Sequence, residues 1–237
     1  MNMRAISIVG PKKSGKTTLG LQLIHQLRQQ GLSVAVAKSS HHGFDGQDTD
    51  TEQYAQTGCA VLGMGPDESF VRWPEKRDLT SLLPLVDADL LLVEGCKKLQ
   101  WLPRILVLDT IPDEGLDWLS PKLAIAVFGK ASIPGVPTIS SIRELADLIQ
   151  KKAFMLPGLD CGSCGRPDCG ELAREIVAGQ ADPEDCVALD SPVHVEINGR
   201  QLGMNTFMGR LVASTIRGLL REFKGFTNGE AVIKLDV

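Results

Sequence analysis

Up to about residue 150, short unbroken apolar runs alternate with segments whose apolar residues recur at helical spacing. The runs are AISIV (5–9), SVAVA (33–37), DLLLVEG (89–95), RILVLD (104–109) and LAIAVFG (123–129). A strand wetted on one face would alternate apolar with polar residues, so these runs predict strands covered on both faces, as in a parallel sheet. KTTLGLQLIHQLRQQG (16–31) sets Leu19, Leu23, Ile24 and Leu27 on one helical face and ends on Gly31, where a helix C-terminus belongs. Ser141 and Glu144 offer a capping box for a further helix, IRELADLIQKK (142–152). The alternation predicts an α/β domain, a mostly parallel sheet with helices on both faces.

The pattern then changes. FMLPGLDCGSCGRPDCG (154–170) is rich in Pro, Gly and Cys and too poor in large apolar residues to build an extended core. A short helical pattern, ELAREIVAG (171–179), leads to Cys186. The tail predicts a strand (VHVEI, 193–197), an Asn198–Gly199 turn, an amphipathic helix and a last strand (AVIKLDV, 231–237). In that helix Phe207, Leu211, Val212, Ile216, Leu219, Leu220 and Phe223 form a stripe expected to pack on the neighbouring strands. Two domains are therefore expected: 1–152, and a smaller α/β segment at 153–237.

Composition adds little to this picture. Among 237 residues, 43% are hydrophobic and 23% charged, as in an ordinary globular chain. The formal net charge of -4 argues against a nucleic-acid partner, which would need surplus cations to displace counterions. No apolar run approaches a membrane span, and MNMRAISIVG lacks the h-region of a signal peptide. The expectation is a cytoplasmic chain with no membrane partner, whose six cysteines are thiols or metal ligands.

GPKKSGKT (10–17) matches G-x-x-x-x-G-K-[ST], after one predicted strand and at the start of a predicted helix. Its glycines let backbone N–H groups wrap phosphate oxygens at a helix N-terminus. Gly10, Pro11, Lys12, Lys13, Ser14, Gly15, Lys16, Thr17 and Thr18 are the expected nucleotide-binding residues. Lys16 neutralises phosphate oxygens and the Thr17 hydroxyl ligates Mg²⁺. Glu94, ending the run 89–95, is the expected carboxylate on the Mg²⁺ side, reaching the ion directly or through a water. Asp89 begins that run, at the wrong end, and reads as a cap or surface charge. Asp48, in the polar loop after the second strand, is a metal or water-positioning candidate and equally a helix N-cap for TEQYAQTG. The adjacent His41 and His42 point in different directions and are expected to face solvent or nucleotide rather than zinc.

Cys161, Cys164, Cys169 and Cys186 are spaced C-x2-C-x4-C-x16-C. Structural zinc sites usually combine two close pairs, whereas here three thiols crowd one loop and the fourth is remote. That arrangement suits the corners of an iron–sulfur cluster, and Gly162, Gly165 and Gly170 let backbone N–H groups approach its sulfurs. Zinc remains the other metal reading. Cys59 and Cys96 fall outside the pattern and are expected to be buried apolar thiols.

GPKKSGKTTL, KSSHHGFDGQDTDTEQYAQTGCA and ADLLLVEGCKK resemble the molybdopterin-guanine dinucleotide biosynthesis protein B (MobB) family over about residues 1 to 150. The resemblance implies a P-loop GTP-binding protein and weak GTPase with Mg²⁺, serving molybdenum or tungsten cofactor biosynthesis. It implies as partners GTP and a molybdopterin guanylyltransferase or a recipient oxidoreductase, with homodimerisation left open. It implicates Lys16, Thr17, the region from Lys38 to Thr49, and Glu94 with Gly95. The family reads K-H-x-x-H after its second strand, whereas Lys38 is followed here by Ser39, Ser40, His41 and His42, so only His42 keeps its place. No N-K-x-D guanine-reading motif occurs, and the preference for GTP comes from the resemblance. Residues 156–186 are similar to the small [4Fe–4S] domain of electron-transport and corrinoid iron–sulfur proteins, with all four cysteines in ligand positions.

Two rival readings stay open at this stage. One is a nucleotide-gated iron–sulfur redox module; the other is a P-loop small-molecule kinase, which would need arginines gathered over the phosphates. Arg72, Arg77 and Arg104 are scattered in sequence instead.

Overall fold

The computed structural model describes the chain except for residues 1–2, 41–49, 114, 190, 192, 194, 198–199, 205, 228, 230 and 235–237. In chain order the elements are β1 (Arg4–Val9), α1 (Lys16–Gln29), β2 (Val34–Lys38), α2 (Asp50–Gln56), β3 (Val61–Met64), β4 (Ser69–Arg72), α3 (Leu79–Leu82) and β5 (Leu90–Glu94). Then come β6 (Arg104–Val107), β7 (Ala124–Phe128), β8 (Thr138–Ile139), α4 (Ile142–Lys152), α5 (Cys169–Val177), β9 (Glu196–Ile197), β10 (Arg200–Gln201) and α6 (Thr206–Arg221).

The five apolar runs all become strands of one six-stranded sheet, ordered β2-β5-β1-β6-β7-β8 and parallel throughout. Its two faces follow from the period of two along each strand. Ile6, Ile8, Leu90 and Leu92 point into a core with Leu19, Leu23 and Leu27 of α1 and Leu145 and Ile149 of α4. Ala5, Leu91 and Val93 point the other way. α1 ends as expected, with Gly31 at φ 87 just beyond its cap, and Ser141 caps α4 by accepting from the Glu144 N–H at 3.3 Å.

The opposite face is covered by the cysteine segment. Leu156, Leu172, Ala173, Cys169 and Cys186 bury themselves with Trp101, Leu102, Phe154, Leu91 and Val93 in one cluster. A segment too poor in apolar residues to form a core of its own has borrowed one from the sheet. Asp168 caps the start of α5, its carboxylate accepting from the Glu171 N–H at 2.7 Å.

Three expectations are corrected. Residues 231–234 form no strand, so the last strand of the tail is not made over the described part of 231–237. The stripe of α6 is not packed on strands: Phe207, Leu219 and Phe223 are 71%, 63% and 68% exposed, because the only tail strands described are the two-residue β9 and β10, paired with each other. Cys59 is exposed rather than buried, in the short link before β3, and Cys96 is half-buried. The antiparallel pair β3–β4 was not anticipated, since it lies outside the main sheet and its side chains are mostly exposed.

Candidate functional site

Parallel register sets the nucleotide end of the sheet. Glu94 pairs with Ile8 on β1 and with Lys38 on β2, so the loops after three adjacent strands open side by side at their carboxyl ends. The loop after β1 turns tightly: a Cβ on Gly10 would lie 2.5 Å from the Val107 carbonyl and 2.7 Å from Ser14 Oγ. Lys13 and Gly15 take φ 64 and 89 to bring the chain into α1.

Within this loop Lys16 Nζ donates to the Pro11 carbonyl at 2.5 Å. Thr17 Oγ1 donates to Glu94 Oε1 at 2.8 Å, and Lys38 Nζ lies 3.5 Å from the same oxygen. Burial holds the Lys16 ammonium below the usual lysine range; Glu94 opposes that shift, and the neighbouring charges of Lys97 and Lys38 reinforce it. Lys97 in turn lies over the Trp118 ring, 3.8 Å from its centroid. Lys12, Lys13 and Thr18 are exposed, Pro11 and Ser14 half-buried. Asp48, His41 and His42 lie outside the described residues. Asp89 ties strand starts together at the far end of the sheet, accepting from Ser33 Oγ at 2.6 Å and Ser33 N at 2.8 Å.

Beside the loop, between α1 and the ends of β6 and β7, is a cavity of about 250 Å³ walled by Ser14, Thr18, Gln22, Asp109, Phe128 and Gly129. Neither Lys97 nor Asp109 was singled out in the sequence. The usable signal was position: Lys97 lies just beyond the carboxyl end of one predicted strand and Asp109 ends another.

The arginines do not gather over the loop. Arg104 is fully buried and ties Leu119 O at 2.7 Å and Leu99 O at 2.5 Å, Arg72 pairs with Glu52, and Arg77 lies over Trp73.

The four patterned cysteines occupy one neighbourhood. Cys186 feels the charges of Cys164 and Cys161, and Cys169 that of Cys186; burial is the main cause that raises both the Cys186 and the Cys169 thiol. Backbone N–H groups already address these sulfurs: Asp160 N donates to Cys169 Sγ at 3.4 Å, and the backbone at Ala188 and Leu189 serves Cys186. Gly162 and Gly165 take φ 67 and 82, and a Cβ on Gly203 would strike Cys161 Cβ at 2.4 Å. Among the described residues no three His, Cys, Asp or Glu side chains converge tightly enough for a single ion. A donor set of four thiols with backbone N–H groups aimed at sulfur fits an iron–sulfur cluster.

A parallel sheet with a glycine loop at one strand end, leading into a helix that opens on Lys-Thr, defines a P-loop protein of the nucleotide-binding kind. The chain belongs to the family of the molybdopterin guanine dinucleotide synthesis protein B, MobB, whose model matches residues 5–127. Membership implies a role in molybdenum cofactor biosynthesis. Residues 156–188 match a second family, described as "Putative Fe-S cluster", which assigns the cysteine segment to the iron–sulfur class.

Among solved structures, Bacillus subtilis MobB is 25% identical, with a TM-score of 0.52, over 63% of this chain and 97% of its own. A MobB homolog from Bacillus stearothermophilus is 23% identical, with a TM-score of 0.47, over 64% of this chain and 99% of its own. No curated protein matches the chain. No helix among the described residues is long and apolar enough to cross a membrane.

Proposed function

We propose that this protein binds GTP with Mg²⁺, hydrolyses it weakly, and carries a [4Fe–4S] cluster while serving assembly or delivery of the guanine dinucleotide form of the molybdenum or tungsten cofactor. The observation that carries the nucleotide part is the 2.8 Å contact between Thr17 Oγ1 and Glu94 Oε1. It sets a hydroxyl and a carboxylate together at the mouth of the loop, where a hard cation beside phosphates finds oxygen ligands. Mg²⁺, when bound, neutralises phosphate charge.

The chain's own residues do the rest. The N–H groups of the loop and the first turn of α1 face the phosphates, and Lys16 supplies a cation there. Thr17 and Glu94 hold the metal side, and Lys38, 3.5 Å from Glu94 Oε1, orients that carboxylate. Cys161, Cys164, Cys169 and Cys186 would hold the cluster, which supplies one-electron redox capacity or a structural clasp.

On this reading residues 1–152 form the nucleotide part and 153–237 the cluster part, a division of function across a shared core. A cytoplasmic location, and a guanylyltransferase or a recipient oxidoreductase as partner, go with the reading. Phosphate release from GTP and ATP without any acceptor, together with iron and sulfide analysis of anaerobically purified protein, tests it. No nucleotide binding, or zinc in place of iron, overturns the corresponding half.

A nucleotide-gated redox role is the second reading, and one observation favours it. The loop after Glu94 runs directly to the cysteine segment: Gln100 Cβ lies 3.0 Å from where Gly170 would carry a Cβ, and Leu156 N donates to Trp101 O at 3.3 Å. A redox titration of the cluster with and without GTP separates the two, since only gating shifts the potential.

A further inference from the structure

The cavity beside the glycine loop has features that phosphate binding does not use. Its volume of about 250 Å³ is that of a site for a fused heterocycle rather than for a whole nucleotide. It starts at Ser14, whose hydroxyl is buried without a hydrogen-bond partner, and follows α1 past Thr18 and Gln22. Phe128 supplies an apolar wall at the end of β7. Asp109 stands at the end of β6, and its carboxylate makes no hydrogen bond or ion pair with any described residue.

That carboxylate sits against a backbone that admits only glycine. Gly129 has φ 136, and a Cβ there would lie 2.1 Å from the Leu108 carbonyl and 3.2 Å from Asp109 Oδ1. The N–H groups of Lys130 and Ala131 both donate to the Leu108 carbonyl at 3.1 Å, pinning the loop after β7 to the end of β6. Among the described residues that wall the cavity, Asp109 is the one acidic group.

We propose that this cavity takes the nucleobase and that Asp109 reads it as guanine. The inference rests on the GTP-binding reading and adds the residue that selects the base. Guanine presents two adjacent donors on its pairing edge, N1–H and the N2 amino group, which a carboxylate accepts together in a charge-assisted pair. Adenine presents a lone pair at N1 and would set it against the carboxylate, so a single residue both attracts one purine and repels the other. The phosphates stay on the loop and Lys16, nearly two helical turns from Gln22, so phosphate and base recognition fall on separate residues.

The test is a titration of the full-length protein with GTP, ATP and xanthosine triphosphate, in parent, Asp109→Asn, Asp109→Ala and Lys16→Ala. Xanthine carries a carbonyl where guanine has its amino group, and an asparagine amide can donate to it. In Asp109→Asn, GTP affinity should fall about 10- to 100-fold and xanthosine triphosphate should become the better ligand. Asp109→Ala should lose the preference for GTP over ATP, and Lys16→Ala should weaken all three nucleotides alike. Asp109 is exposed and unpaired, so neither substitution should disturb the fold. Unchanged base preference in both Asp109 variants, with Lys16→Ala still defective, overturns the assignment of Asp109 and leaves nucleotide binding standing. If the parent binds no nucleotide and Lys16→Ala behaves identically, the GTP-binding reading itself has failed.

Discussion

The Thr17 hydroxyl donates to the Glu94 carboxylate at 2.8 Å, joining the first turn of α1 to the end of β5 across 77 residues of sequence. Lys38 approaches the same oxygen from the end of β2. Glu94→Gln keeps a hydrogen-bond acceptor for Thr17 but removes the charge. The Mg²⁺ midpoint for nucleotide binding should rise about tenfold, while affinity measured with chelator changes little. Superimposable Mg²⁺ titrations of the two proteins would remove Glu94 from the metal side.

Lys16 serves ligand at the expense of the fold. Its ammonium is partly desolvated, near Lys38 and Lys97, and its pKa lies below the ordinary 10.5. A cation with a depressed folded pKa destabilises the native state while charged, and that handicap fades as pH rises through the folded pKa towards the unfolded one. Lys16→Ala should therefore melt at or above the parent temperature without nucleotide at neutral pH, with the difference shrinking in alkaline buffer. The variant should lose the upward melting shift that GTP gives the parent. A variant that melts well below the parent would show Lys16 to be a structural residue.

The cysteines divide by burial. Cys169 and Cys186 are buried with Leu91 and Val93 of the sheet, while Cys161 is exposed and Cys164 half-buried. All four Cys→Ser variants should lose the broad visible absorbance of an iron–sulfur centre. In metal-free protein, Cys169→Ser and Cys186→Ser should also cost about 1–3 kcal/mol, since each puts a hydroxyl in apolar surroundings. Cys161→Ser should cost little. Equal denaturation midpoints across the series would sink the shared-core account.

Arg104 holds the other end of that core. Its guanidinium bonds the carbonyls of Leu119 and Leu99, and burial lowers its pKa only to about 10, so it is charged at neutral pH. Arg104→Met leaves both carbonyls unpaired and should cost roughly 2–4 kcal/mol in urea unfolding. It should also loosen the loop from Cys96 to Trp101, seen as faster amide exchange there. Unchanged exchange would mean the loop is held by other contacts.

The sequence by itself determined the elements of the nucleotide part. Unbroken apolar runs such as LLLVE can only be strands covered on both faces, and the glycine loop is recognisable because its chemistry is local: eight consecutive residues carry it. The cysteine spacing likewise announced a metal-binding segment. What covers the second face of the sheet was decided only in three dimensions. Leu156, Leu172 and Cys186 are individually unremarkable in sequence, and their burial against Leu91 and Val93 depends on a chain path that no local period encodes. The same holds for Lys97 beside Lys16 and for Asp109 at the cavity rim, brought near the loop by parallel register between strands far apart in the chain. The α6 stripe failed in the opposite direction. Its apolar spacing predicts a helix with one greasy face, and the helix forms, yet periodicity states only that such a face exists and leaves its partner to tertiary packing.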